Sequence, residues 1–197
     1  MNLKQIQYVL AVIGLIGILI LSSPLLSTLF PIPNGEPFSE LYLLGPQHTA
    51  NGYPTEIGPG KSSFVYVDVS NEMFASQYYM LYFKLGNSTN SLPNPLTGSP
   101  SSLNPLYEYR FAIANGKTIE FTVTFSVVSA SNSTTQAVIN VFQINGLNFN
   151  VNEATLLANS TSSGLYYRFI AELWIYNPQT QSFQYDNRFV DLRLQFV

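Results

Sequence analysis

Cysteine is absent from this chain, and that absence removes disulfide staples, thiolate metal ligands and thiol nucleophiles together. Histidine is nearly absent too, with His48 standing alone. A zinc centre draws three or four His, Cys or carboxylate ligands, and a Ser-His-Asp relay would have to use His48 as its base. No Gly-x-Ser-x-Gly elbow supports such a relay, so His48 reads as a surface-loop residue. Charge is scarce as well: Asp, Glu, Lys and Arg make up 10% of the 197 residues, against about a quarter in ordinary soluble domains. The eight Lys and Arg are scattered singly and form no basic stripe for nucleic acid. A formal net charge of −3 is too weak to define an electrostatic partner.

What the chain does have is apolar and aromatic surface, 46% hydrophobic residues with 13 Tyr and 14 Phe. That is ample material for a core and excludes a disordered chain. Ser, Thr, Asn, Gln and Tyr must then cover the surface that charge does not. The length suits one domain of about 160 residues, large enough to fold without cross-links, plus a leading segment.

The leading segment is uncharged from Lys4 to Glu36, and Tyr8–Leu21 is entirely apolar. An apolar helix of about 20 residues crosses a bilayer core, and Pro24, near the distal end, is tolerated in such a helix. Lys4 leads, and no Lys or Arg recurs until Lys61, which favours an inside N-terminus and an outside domain. Residues 1–30 are therefore expected to be a membrane anchor that meets lipid through residues 8–30. The rival is a cleaved signal, for which Ser22 and Ser23 are small enough but Ala-x-Ala is missing. Residues 31–37, with Pro31, Pro33 and Pro37, form a stiff Pro-rich linker.

From residue 38 to 197 the pattern is strands and turns. In Thr118–Val128, Ile119, Phe121, Val123, Phe125 and Val127 alternate with polar residues, the period of a sheet with one dry face. Asn115-Gly116 after Tyr107–Ile113 signals a hairpin into that strand. Ser62–Val69, Tyr78–Leu85, Gln136–Ile144, Leu165–Tyr176 and Arg188–Val197 complete the expected set. The second face of Leu165–Tyr176 is half apolar, which predicts a central strand or one covered on both sides. Asn152–Leu157 hints at one helical turn capped by Asn152. Asn87–Asn104, rich in Ser, Asn, Pro and Gly, reads as a long loop. The sum is an all-β antiparallel sandwich.

Motifs that suggest chemistry weaken on inspection. Gly58-Pro59-Gly60-Lys61 lacks phosphate-loop spacing, because the residue five positions before Gly60 is not glycine; it predicts a turn. Glu120 and Glu172 both fall on strands and would serve glycoside hydrolysis only if they faced one another about 5–9 Å apart. Tyr66, Tyr79, Tyr107, Tyr109, Tyr166, Tyr167 and Trp174 exceed what one thin core requires; some could form a subunit or sugar-stacking face, while the two inner faces and the sheet edges are expected to absorb most of them. Three Asn-x-Ser/Thr sequons, at Asn87, Asn132 and Asn159, sit in expected loops where an exported domain could accept glycans. No catalytic, cofactor-binding or metal-binding residue is assigned.

Phe38-Ser39-Glu40-Leu41-Tyr42-Leu43-Leu44-Gly45-Pro46, Tyr53-Pro54, the Gly58–Lys61 turn and Val69-Ser70-Asn71-Glu72 together resemble the exported C-terminal region of archaeal DUF1616-type membrane proteins. Glu172–Tyr176 and Arg188–Val197 look like its closing strands. The resemblance implies an extracytoplasmic, immunoglobulin-like β-sandwich of unknown function with no catalytic residues to carry over. Longer members have several membrane helices where this chain has one segment. The expected role is a non-enzymatic, membrane-anchored surface or envelope protein, single-pass with its domain outside. Its partners would be lipid, other envelope proteins or copies of itself. One alternative is a subunit of an archaeal surface filament, in which Leu25–Pro33, released by signal cleavage, completes a neighbour's sheet. Another is a secreted glycan-binding or glycan-active protein.

Overall fold

The computed structural model describes residues 2–29, 35–133, 136–156 and 166–197. They form two compact units, Met1–Glu36 and Pro37–Val197.

The first unit is helix α1, Leu3–Leu29. Its side chains are described through Ile18, and those from Leu3 to Ile16 are mostly exposed. Among the described residues, no helix is long and apolar enough to cross a membrane. From Tyr8 to Ile18 the helix rises only about 16 Å, so the expected span depends on residues whose side chains lie outside the description. The same holds for most of the expected linker.

The second unit is all β, with strands β1 Phe38–Leu44, β2 Glu56–Ile57, β3 Ser62–Glu72, β4 Gln77–Asn87, β5 Tyr107–Ile113, β6 Lys117–Asn132, β7 Gln136–Ile144, β8 Leu147–Leu156, β9 Tyr166–Asn177 and β10 Ser182–Phe196. One sheet has the order β1-β3-β6-β7-β8 and the other β2-β10-β9-β4-β5. All pairings are antiparallel except the short β2–β10 contact. Alternation works as expected: Val65, Val67 and Val69 of β3 and Val123, Phe125 and Val127 of β6 face Tyr79, Leu81 and Phe83 of β4 and Tyr167, Phe169 and Leu173 of β9 in one core. Where alternation changes phase, a bulge is the cause. The buried set on β7 moves from Ala137 and Ile139 to Phe142 and Ile144 across a register shift between Ile139 and Val141.

Two expectations are corrected. Asn115-Gly116 does not make a hairpin, because β5 and β6 belong to different sheets. The turn is instead tied to β3: the Gly116 amide donates to the Asn71 carbonyl at 2.7 Å, and the Asn71 side-chain amide donates to the Ile113 carbonyl at 2.8 Å. The Asn-Gly hairpin lies one strand pair later, at Asn145-Gly146, between paired Ile144 and Leu147. Both turn residues have positive φ, 49° and 80°, as a type I′ turn requires. Finally, residues 152–156 are strand, not a helical turn; Asn152, at φ 47°, marks an irregularity of β8 rather than an N-cap. Leu157 lies outside the described residues.

Candidate functional site

The central position of β9 has a consequence on its outer face. Inner residues Ala171 and Leu173 go to the core, so Ile170, Glu172 and Trp174 point outward, yet Ile170 and Glu172 are buried. The loop between β4 and β5 covers them. Glu172 and Lys84 of β4 form an ion pair at 2.8 Å with side chains 0% and 3% exposed. Every part of the pair is bonded: Ser101 of the loop donates its amide to Glu172 Oε1 at 2.9 Å, Lys84 Nζ donates to the Ser101 carbonyl at 3.1 Å, and Trp174 Nε1 donates to Glu172 Oε2 at 3.3 Å. A buried pair so enclosed acts as a clasp on the loop. Beside it, burial and the Glu172 charge push the Tyr185 hydroxyl up to about 12.

A second polar cluster lies on the outer face of the other sheet. Asp68 of β3 is flanked by Tyr42 of β1 and by Glu120 of β6, its cross-strand neighbours. His48, at φ 55° in the turn after β1, stacks on Tyr66 with ring centroids 3.8 Å apart and sets Nδ1 3.0 Å from Glu120 Oε2. Burial first and the Glu120 charge second push the Asp68 carboxyl above its ordinary value; Tyr42 and His48 oppose that shift. His48 is thus an exposed loop residue with a carboxylate partner. Among the described residues, no three His, Cys, Asp or Glu converge to hold a metal ion.

These two clusters separate the carboxylates that the sequence offered as a pair. Glu120 lies on the outer face of one sheet and Glu172 on the outer face of the other, with the whole core between them. Packed sheets stand about 10 Å apart before side chains are added, so the two cannot flank one glycosidic bond. The aromatic expectation divides likewise. Tyr79 and Tyr167 are fully buried, their hydroxyls bonded to Ser39 and to the Ala137 carbonyl. Tyr107 and Tyr109 pack against the core. Tyr166 lies under the Arg193 guanidinium at 4.4 Å, and Trp174 is half-buried between Tyr82 and Tyr185.

The third surface is the open side of the sandwich, where the free edge of β1 approaches the part of β10 that β2 leaves unpaired. A cavity of about 390 Å³ lies there, lined by Leu41, Leu43, Tyr53, Val190 and Leu192 among others. Free edges invite an added strand, but two carbonyls of β1 are already held. Arg188 Nε donates to the Ser39 carbonyl at 3.0 Å and the Tyr53 hydroxyl to the Leu43 carbonyl at 2.9 Å. The sequence around Ser39 gives no hint of its bond, because Arg188 lies 149 positions away.

The Gly58–Lys61 segment is a turn into β3: the Lys61 amide donates to the Gly58 carbonyl at 3.1 Å and its ammonium pairs with Glu56 at 2.7 Å. Glycine is required at position 58, where a Cβ would collide with the Val197 carbonyl.

Strand order, buried core and the absence of any helix in the second unit's described residues define a two-sheet antiparallel β-sandwich. The chain belongs to the family described as Domain of unknown function (DUF1616), whose profile matches residues 32–139. That match runs from β1 into β7, so the closing strands β9 and β10 lie beyond it. No curated protein matches the chain in sequence. Solved structures that align with it include a beta-glucosidase from Listeria innocua in complex with glucose, at 15% identity and TM-score 0.37, over 81% of this chain and 16% of that one. Another is Bacteroides uniformis beta-glucuronidase 2 covalently bound to cyclophellitol-6-carboxylate aziridine, at 12% identity and TM-score 0.33, over 79% and 13%. The chain therefore spans less than a fifth of the length of either enzyme.

Proposed function

We propose that this chain is a non-enzymatic, single-pass envelope protein of an archaeal cell surface, holding an immunoglobulin-like sandwich outside the membrane for structural or interaction roles. The observation that carries the reading is the charge pattern of the N-terminal segment: nothing charged between Lys4 and Glu36, a cation before it, and no Lys or Arg again until Lys61. The sandwich supports it from the other end. Among the described residues, some of its few ionic side chains pair with one another, buried in Lys84–Glu172 and partly buried in Arg168–Asp191, and its polar clusters pin loops and turns. Fractionation of native cells tests it. The chain should stay with membranes washed in alkaline carbonate, and external protease should digest the sandwich in intact cells. Release by carbonate, or protection of the sandwich, contradicts it.

A second reading is a filament subunit completed by a neighbour's donor strand after signal cleavage. The apolar cavity between the edges of β1 and β10 favours it. An entering strand would have to displace Arg188 and Tyr53 from the β1 carbonyls. Heat-resistant polymers whose chains begin near residues 24–30 would replace the anchored reading with this one.

A further inference from the structure

The sequons are not equivalent once the fold is known. An N-linked glycan is attached through the side-chain amide nitrogen, which must be free to reach an incoming sugar. At Asn87, the last residue of β4, both amide hydrogens are committed: Nδ2 donates to Glu153 Oε1 at 2.8 Å and to the Ala154 carbonyl at 2.6 Å. Its Oδ1 accepts from the Thr89 amide at 2.8 Å and the Thr89 hydroxyl at 2.6 Å. The side chain therefore ties β4 to β8 of the opposite sheet, and Glu153, half-buried against it, has its carboxyl pushed up by burial. A sugar on Nδ2 would remove one of those bonds and stand where β8 stands.

Asn132 is placed in the opposite way. It is the last residue of β6, exposed and paired with Ala137 of β7, and the next residue, Ser133, donates its amide to the Gln136 carbonyl at 2.7 Å. Hairpin tips are where added bulk is accommodated without disturbing the fold. Asn159 lies outside the described residues.

We infer that Asn132 is a glycan acceptor of the exported sandwich and that Asn87 is not. The inference rests on the proposed location outside the membrane. The donor class is a sugar carried on a lipid pyrophosphate. The Asn132 amide nitrogen forms a bond to the anomeric carbon as the bond from that carbon to the pyrophosphate oxygen breaks, and the amide gives up one proton. The lipid pyrophosphate leaves with the electron pair. A neutral, hydrated glycan suits a surface that carries so little charge of its own.

Peptide mapping by mass spectrometry on full-length protein from its native cells tests this, alongside Asn132→Gln and Thr134→Ala chains made in the same cells. A sugar mass on the Asn132 peptide, an unmodified Asn87 peptide, and loss of that mass in both variants are expected. Thr134→Ala keeps the acceptor amide and removes only the sequon hydroxyl, so a folding defect of Asn132→Gln does not confuse the result. A glycan on Asn87 overturns the inference. So does a bare Asn132 when external protease reaches the sandwich, which leaves the proposed location standing. A bare Asn132 in a sandwich that protease cannot reach overturns both.

Discussion

Asn71 and Ile113 are joined by a 2.8 Å hydrogen bond from the Asn71 side-chain amide to the Ile113 carbonyl, and this contact sits where the chain leaves one sheet for the other. The same side chain donates to the Ala75 carbonyl at 2.8 Å and accepts from the Met73 amide at 3.0 Å and from Tyr79 Oη at 3.3 Å. One fully buried residue thereby satisfies the backbone of two connections.

Asn71→Ala would leave those groups unpaired in the interior. The expected cost is about 2–4 kcal/mol, or a Tm lowered by roughly 5–15 °C for a domain of this size. Thermal unfolding of the variant checks it, and an unchanged Tm would remove Asn71 from the account.

Lys84→Met should cost about 3–5 kcal/mol, because it leaves the Glu172 carboxylate buried without its cation. Adding Glu172→Leu should recover part of that loss, giving a coupling of about 1–3 kcal/mol in a double-mutant cycle. Limited proteolysis gives a second readout. Cleavage within residues 88–104 should accelerate in Lys84→Met, since Ser101 is held by the pair. Additive single costs with unchanged cleavage would mean that the loop is held by something else.

The pH dependence has an unusual sign. Burial pushes the carboxyls of Asp68, Glu153 and Asp186 above their ordinary values of 3.8, 4.5 and 3.8. Each group binds its proton more tightly folded than unfolded. Its stabilising contribution is complete below the ordinary value and is lost as pH rises through the higher folded value. Tm should therefore rise as pH is lowered towards those ordinary values, and Asp186→Asn should flatten part of that slope. A Tm that falls steadily over the same interval would contradict these shifts.

Gly146→Ala should destabilise by about 1 kcal/mol or more, because alanine resists the φ of 80° that the β7–β8 turn demands. Urea unfolding measures it. A neutral result would mean that the turn can adopt another type.

The sandwich was legible in the sequence because alternation is local. Ile119 through Val127, Tyr167 through Leu173 and Leu192 through Phe196 all face as their period of two requires. Sheet membership was not legible, because it is decided by distant bonds. Asn115-Gly116 and Asn145-Gly146 carry the same turn signal, yet Asn71 draws the first into a crossover while the second closes a hairpin. The long-loop reading of Asn87–Asn104 was sound, and the semi-apolar second face of β9 foretold a cover. The cover proved to be that same loop, clasped by Lys84 and Glu172. Nothing in their spacing of 88 positions marks those two as partners. That Glu120 and Glu172 stand apart has the complementary reason. Two strands can each present an acid, but only the sheet order shows that the acids face opposite ways.

N-terminal sequencing of the chain isolated from native membranes tests the central claim most directly. An anchored envelope protein should retain the Tyr8–Leu21 segment intact. A chain beginning between residues 22 and 31 would show that the segment is removed, and would contradict the anchored account.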